Sequence, residues 1–463
     1  MNPLDYAASA PPHIRAGRFV ADEAQLSWVW RLLSNLPGSE AYLVGGTTRD
    51  ALSGKLPQDI HLVIRNVPEA KLDDYLRKEG RVRPEDAASF AFSPHDGQDW
   101  MDVSLPRTAF WNPTARERRV VPNAYLPMSH DLAWRDFTSN AMAYSFQQGL
   151  LIDPFGGAAD LEKKTLRSVG DPAQRFLEQP LRTLRALRLA AEHQLQIDPV
   201  TWQALPRALP SLNRVITQED GTAAFAVPRS AIGYELLRGL TAHVPYLLNL
   251  WEQSGAAKLL FPELSLLAQI EDSEGRSARE RAEELLHELH ARGVDNPNVL
   301  LVALVYFLED AAEPTAQSIV ERFQLPLAGH DAFNHHDLAW YFAQRDLLHR
   351  EDPETMRPTD FEKLFGGKRG GDLLHFLESI AQVHDVHDEA RARLHQTRRR
   401  HHKLLRDIDP PELIRGRDIV AMGVSPGPHV RSILKTVRDA QLEGQISTRE
   451  EALNVARQAF HAL

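Results

Sequence analysis

The feature that most constrains this chain is a change of period near Asp160. Before it, short runs rich in β-branched residues (Ala41 to Val44, Ile60 to Ile64, Met101 to Leu105) are bounded by Gly, Pro and Asp, the pattern of strands in a mixed sheet. After it, Arg-rich and Leu-rich segments space their apolar residues three and four apart, which predicts helices to the end. Helix starts are predicted at Asp171-Pro172 and, as a capping-box pattern, at Ser447-Thr448-Arg449-Glu450. Gly366-Gly367 and Gly370-Gly371 bracket Lys368-Arg369 in a predicted loop, and Pro410-Pro411 and Ser425-Pro426-Gly427-Pro428 mark turns. The expectation is an α+β fold: an α/β head followed by a long helical body.

Length and composition set the outer limits. The 463 residues correspond to two to four domains, at roughly 100–200 residues each. Apolar residues make up 43% and charged residues 25%, a globular balance. The longest apolar run, Val299 to Leu308, spans ten residues, too short to cross a bilayer but suited to a buried helix. The first residues, MNPLDYAASAPP, lack the basic stretch and apolar block of a secretory signal. No cysteine is present, which excludes a disulfide scaffold and thiolate chemistry and fits a cytoplasmic setting. Net charge is −10, from 53 Lys plus Arg against 63 Asp plus Glu. Charge distribution matters more than the total for binding a polyanion. Residues 391–406, RARLHQTRRRHHKLLR, carry seven basic residues and no acid.

The sharpest local signal is Leu43-Val44-Gly45-Gly46-Thr47-Thr48-Arg49-Asp50, a strand running through two glycines into a helix. Glycine lets backbone approach a ligand closely, and amides at a helix start favour a phosphate. Then comes Asp59-Ile60-His61-Leu62-Val63-Ile64. As a strand it sends Asp59, His61 and Val63 to one face and Ile60, Leu62 and Ile64 to the core. In Met101-Asp102-Val103-Ser104-Leu105 the alternation presents Asp102 opposite the apolar set. Two neighbouring strands would bring Asp59, His61 and Asp102 together, and clustered carboxylates that hold metal ions serve phosphoryl transfer.

Further motifs follow in order: Arg135-Asp136-Phe137-Thr138-x-Asn140, Leu151-Ile152-Asp153-Pro154-Phe155-Gly156-Gly157, Val169-Gly170-Asp171-Pro172, and Pro180-Leu181-Arg182-x-Leu184-Arg185. With the Gly-Gly turn, Asp59-Ile60 and the C-terminal Gly416-Arg417-Asp418, this succession resembles the class II tRNA nucleotidyltransferase and poly(A) polymerase family, in particular its bacterial CCA-adding members. The resemblance is dense over residues 43–188, weak over about 200–400, and clear again over 412–452. It implies a polymerase-beta-like nucleotidyltransferase head (1–160), a helical neck (161–225), a helical body (226–405, with a degenerate HD-like region about 280–330) and an RNA-binding tail (406–463). It further implies transfer of CMP or AMP from CTP or ATP to the 3′ end of tRNA or another RNA, with Mg²⁺. On this analogy Asp59, His61 and Asp102 hold metal and carry catalysis. Gly45, Gly46, Arg49, Asp50, Arg135, Asp136 and Asn140 bind nucleotide, and Glu178, Gln179, Arg182 and Arg185 face the base.

The departures fall on working residues. The family's Asp-x-Asp is Asp59-x-His61 here, and an imidazole nitrogen suits Mn²⁺ better than Mg²⁺. The paired arginines before Asp-Phe-Thr become Trp134-Arg135, and the base-reading Glu-Asp becomes Glu178-Gln179, whose amide donates as well as accepts. Glu178, Arg182 and Arg185, four and three apart, are predicted on one helical face. The histidine tracts, His335-His336, His384 to Asp388 and His401-His402, read as solvated helix surface. The family setting turns Arg398, Arg399, Arg400 and Lys403 into expected contacts with RNA phosphates. Three functions stay open on the sequence: an RNA 3′-end nucleotidyltransferase, an RNA-binding protein on the same fold without the chemistry, and an enzyme adding only A or only C.

Overall fold

The computed structural model describes residues 16–20, 23–57, 59–85, 88–95, 99–112, 117–217, 221–325, 333, 335–350, 352–384, 388–403, 412–425 and 427–461. It divides into two compact units, Met1–Pro262 and Glu263–Leu463.

The first unit is built on a seven-stranded mixed sheet whose strands lie side by side in the order 80–84, 89–94, 101–104, 61–65, 40–44, 143–145 and 151–152. In chain order the head elements are α1 (Ser27–Asn35), β1 (Glu40–Val44), α2 (Gly45–Leu52), β2 (His61–Arg65), α3 (Glu69–Glu79), β3 (Gly80–Pro84), β4 (Ser89–Pro94) and β5 (Met101–Ser104). A separate hairpin, β6 (Arg107–Asn112) with β7 (Glu117–Pro122), precedes α4 (Met128–Leu132), β8 (Ala143–Ser145) and β9 (Leu151–Ile152). β1 runs antiparallel to β2 and β8, while β2 and β5 are parallel, pairing His61 with Asp102 and Leu62 with Val103.

The period of two sorts the sheet's side chains into two cores. Ala41, Leu43, Leu62 and Ile64 join Trp28, Leu32 and Phe92 on one face, where Trp28 and Phe92 meet edge to face at 4.7 Å. Tyr42, Val44 and Val63 pack on the other with Met128 and Leu132. The second face, expected to be polar along β2, is therefore covered: Val63 is fully buried. Each such aliphatic burial contributes about 1.5–3 kcal/mol. Strand β2 also starts two residues later than predicted, so Asp59 lies in a bend ahead of it.

Helices follow: α5 (Gly157–Glu162), α6 (Pro172–Glu178), α7 (Leu181–His193), α8 (Pro199–Ala208), α9 (Arg229–Leu240) and α10 (Val244–Ser254). The predicted start at Asp171-Pro172 holds, with the Asp171 side chain accepting from the Ala173 amide at 3.1 Å. The single helix expected across Glu178 to Arg185 does not form. Pro180 lacks an N–H, and Gln179 ahead of it leaves the helical region (φ −146°, ψ 89°), so Glu178 ends α6 and Arg182 belongs to α7.

The second unit is helical, including α11 (Ala278–Ala291), α12 (Pro297–Val305), α13 (Ala312–Arg322), α14 (Gly367–Val383), α15 (Asp388–Lys403), α16 (Pro428–Leu442) and α17 (Arg449–His461). Every residue of α12 is buried, as its apolar run requires. The loop predicted at Gly366–Gly371 is instead the start of α14. A Cβ on Gly370 would come within 2.1 Å of the Phe365 backbone, so this glycine serves close packing. The C-terminal capping box is shifted by one residue: Glu451 Oε2 accepts from the Thr448 amide at 2.9 Å, and Thr448 Oγ1 accepts from the Glu451 amide at 3.3 Å. Residues 412–461 have their own small core around Ile414, Ile419, Ile433, Val437 and Ala452.

Candidate nucleotide-binding cleft

A cleft of about 410 Å³ opens in the first unit where β1 runs into α2. Gly45 makes the turn with φ +67°, a left-handed conformation that favours glycine, and a Cβ there would stand 3.0 Å from Arg135 Nη1. Among the described residues no side chain caps the start of α2, and Gly45 and Gly46 line the cleft, so its floor offers N–H donors to an anion.

Charge around this floor is predominantly positive: Arg107, Arg135, Arg182 and Arg185 face Asp131 and Asp136. Arg135 donates from Nε and Nη2 to Asp131 Oδ2 at 3.2 and 3.0 Å, and the Arg107 amide donates to Asp131 Oδ1 at 3.0 Å. Asp136 accepts at Oδ1 from the Phe137 amide (2.9 Å) and Asn140 Nδ2 (3.1 Å), and at Oδ2 from Arg185 Nη1 (3.2 Å). Burial pushes its pKa up, but Arg185, Arg182 and these hydrogen bonds outweigh burial and hold it at about 2. Arg185 in turn reaches Glu235 Oε1 at 3.4 Å, while Arg188 Nε donates to Glu235 Oε2 at 2.6 Å. Burial works against the Arg185 charge, yet Asp136 and Glu235 raise its pKa. Arg182, buried, donates from Nη2 to the Trp134 carbonyl at 2.6 Å.

At the rim, His61 Nδ1 lies 3.0 Å from Asp102 Oδ2. The His61 hydrogen bond lowers the Asp102 pKa against partial burial, helped by Arg107. Thr47 ties this strand start to α2: its hydroxyl donates to the Asp59 carbonyl at 2.9 Å and accepts from the His61 amide at 2.8 Å. The Asp59 side chain is exposed and does not line the cleft. Among the described residues, no three His, Asp or Glu side chains form a group that could hold a metal ion. Asp59, His61 and Asp102 therefore do not fit the metal centre that the resemblance implies, because His61 is bound to one carboxylate and the other points elsewhere.

Of the sequence candidates, Gly45, Gly46, His61, Arg135 and Asp136 line the cleft, as do Asn140, Gln179, Arg182 and Arg185. Arg49 and Asp50 stand behind the turn. Arg49 is buried, bidentate to Asp50 at 2.9 and 3.1 Å, and donates to Asn140 Oδ1 at 2.8 Å. Glu178 is also withdrawn, buried and held by Arg175 Nη1 at 3.0 Å and Gln174 Nε2 at 2.8 Å.

Sequence reasoning missed Arg107, Thr108 and Val120, which the β6–β7 hairpin brings to the cleft, and Glu235, which joins two arginines from α9. Asp131 had a signal, since it sits one helical turn before Arg135.

The basic stripe lies on α15. Arg398 and Arg399 are exposed, with loose contacts to Glu378 (3.6 Å) and Glu354 (3.8 Å). Arg400 differs: its guanidinium lies over the Phe361 ring at 4.4 Å and donates to the Pro353 carbonyl. The Lys403 side chain, and His387 of the histidine tract, lie outside the described residues.

Comparison with known proteins places this geometry. Residues 41–167 match the poly(A) polymerase head domain. Poly(A) polymerase I of Salmonella typhi is 32% identical over 203 residues, 42% of each chain, and the CCA-adding enzyme of Streptococcus suis is 32% identical over 183 residues, 40% of this chain and 44% of that one. The chain thus spans less than half the length of these relatives. The CC-adding tRNA nucleotidyltransferase of Synechocystis sp. is 27% identical over 90% of this chain and 93% of its own. A CCA-adding enzyme in an apo form shares the fold with a TM-score of 0.52 at 19% identity, covering 97% of this chain and 99% of that one. The Bacillus stearothermophilus CCA-adding enzyme in complex with CTP does so with a TM-score of 0.52 at 20% identity, over 98% and 100%. The glycine turn and the head sheet thus lie in a segment that matches the poly(A) polymerase head domain, and the chain as a whole is similar to a tRNA nucleotidyltransferase.

Proposed function

We propose that the chain is an RNA 3′-end nucleotidyltransferase of the cytoplasm, transferring CMP or AMP from CTP or ATP to tRNA. The observation that carries this reading is the uncapped start of α2, at Gly45-Gly46, facing Arg107 and Arg135 in one cleft. Helix amides and guanidinium forks suit a triphosphate, and Gln179, Arg182 and Arg185 supply donors and acceptors to a base. The RNA 3′-hydroxyl would attack the α-phosphate in line; the new P–O bond forms as pyrophosphate leaves, and the hydroxyl proton is lost to water. The protein's part is positioning and charge neutralisation. Nucleotidyltransferases of this family use divalent metal ions. Among the described residues, Asp59, His61 and Asp102 do not come together to hold one.

A second reading, an RNA-binding protein without the chemistry, is favoured by one observation: His61 engages Asp102 where a second free carboxylate would be needed. The test is incorporation of labelled CTP and ATP into tRNA lacking its 3′ end, in Mg²⁺ and in Mn²⁺, with His61→Asp alongside. Incorporation by the native chain supports the enzyme. None in either metal, with tRNA bound, supports the second reading, and failure of both chains to bind tRNA defeats both.

A further inference from the structure

Strand register carries the rim of the cleft outward across the sheet. His61 pairs with Asp102, Asp102 with Ala91, and Ala91 with Arg83, so one row of residues crosses β2, β5, β4 and β3. Directly paired residues point to the same face of a sheet. The opposite face is the apolar one, where Phe90, Phe92, Met101 and Val103 join the core around Trp28. Arg81, two residues before Arg83, shares the row's face, and its Nη2 donates to Ser93 Oγ at 3.0 Å.

At this outer edge the surface is basic and aromatic. Arg81 and Arg83 are exposed, and Trp100, which leads into β5, is 37% exposed. The Arg83 guanidinium lies 3.8 Å from the centroid of the Trp100 ring and the Arg81 guanidinium 5.4 Å from it. Among the described residues neither arginine is paired with a carboxylate, unlike Arg135 and Arg185 in the cleft. The two arginines leave β3 about 7 Å apart, close to the step between phosphates of an extended strand, and the row from His61 to Arg83 is about two such steps long. Unpaired bases stack on aromatic rings and on guanidinium planes alike.

The direction also fits. Gly45 follows β1, on one side of β2, whereas β5, β4 and β3 lie on the other. An in-line displacement brings the attacking hydroxyl to the α-phosphate from the side opposite the leaving pyrophosphate. With the triphosphate on the glycine turn, the hydroxyl arrives from the Asp102 side, and the strand behind it runs towards Arg83.

We propose that Trp100, Arg81 and Arg83 form a platform for the unpaired 3′ strand of the RNA substrate, reached from the cleft across the row that His61 and Asp102 begin. This rests on the nucleotidyltransferase reading of the cleft and adds a second binding surface to it.

Fluorescence anisotropy of the full chain tests it, with a labelled RNA hairpin that carries four unpaired 3′ nucleotides and the same hairpin with none. The native chain should bind the overhang form about tenfold tighter. Arg81→Gln with Arg83→Gln should erase that gain and reduce the salt slope for the overhang form by about 1.4, from two phosphates at about 0.7 each. Trp100→Ala should erase most of the gain with the slope unchanged, and Trp100→Phe should restore it. CTP affinity, measured by calorimetry, should stay the same throughout. A gain that survives these substitutions overturns the inference, as does an equal weakening of both hairpins, or a parallel loss of CTP binding that would make the cluster a support of the fold. An oligo-glutamate peptide that binds as tightly as the overhang hairpin, and is lost with the same substitutions, gives the surface to an acidic protein partner and overturns it too. A native chain that binds neither hairpin nor CTP overturns the proposed function as well, whereas one that binds both hairpins equally, and CTP, overturns this inference alone.

Discussion

His61 and Asp102 are register partners on adjacent parallel strands, with Nδ1 and Oδ2 3.0 Å apart. Their side chains are 41% and 47% exposed, so the pair itself contributes only about 0.2–1 kcal/mol. Its importance is chemical, because it engages a carboxylate that would otherwise be open to a cation. His61→Asp places like charges face to face. Without divalent ions the variant should melt slightly below the native chain, and Mg²⁺ should raise its melting temperature more than the native one. An equal response to Mg²⁺ in the two chains, read by scanning calorimetry, would show that no ion site had been restored.

Gly45→Ala should strain the left-handed turn by about 1–2 kcal/mol and press a methyl group towards Arg135 Nη1, 3.0 Å from its ideal position. Tripolyphosphate affinity should fall more than stability does. Denaturant titration and calorimetry measure the two effects separately.

Asp136→Asn leaves Arg185 and Arg182 with less negative charge in a buried setting, at a cost of about 3 kcal/mol. The native carboxyl has its pKa depressed from 3.8 to about 2, so its contribution is present above pH 4 and lost as pH falls through about 2. That contribution is about 2 kcal/mol by linkage. Chemical unfolding between pH 4 and 2 should show a steeper loss in the native chain than in the variant.

His193 behaves with the opposite chemistry. Burial first, then Arg49, lowers its pKa from 6.5 to about 3, so it is neutral in the fold and protonated in the unfolded chain at mildly acid pH. The unfolded state binds the extra proton, and stability therefore falls as pH drops from 6.5 towards 3, by about 1.4 kcal/mol per unit at most. His193→Gln should flatten this slope. Urea midpoints at pH 7 and pH 5 that shift equally in both proteins would assign the slope to other groups.

On α15, Arg398→Ala with Arg399→Ala should weaken tRNA binding and reduce its salt slope by about one to two, the signature of lost phosphate contacts. Arg400→Ala should instead lower stability, because that guanidinium packs on Phe361. Filter binding across a salt series, beside thermal melts, distinguishes the two roles.

The sheet and its glycine turn were readable because strand alternation and a helix start are local properties of Ala41 to Leu52. What the sequence hid was mostly long-range. Arg107 reaches the cleft only because a hairpin folds back, and Glu235 meets Arg185 across fifty positions of chain. Local reading also failed where one residue type serves two ends. Pro180 broke a helix that spacing alone would continue, and Gly370 packed inside a helix where paired glycines resembled a loop. Asp59 was misplaced for a subtler reason: the Thr47 hydroxyl holds its backbone, and the strand starts only beyond that clamp.

Two arginines of the cleft already hold carboxylates. Arg185 divides itself between Asp136 and Glu235, and Arg135 leans on Asp131. A polyanion that engages either of these two must compete with internal carboxylates. Its grip then depends on the difference between two sets of contacts, so a change as remote as α9 can retune affinity without touching the ligand.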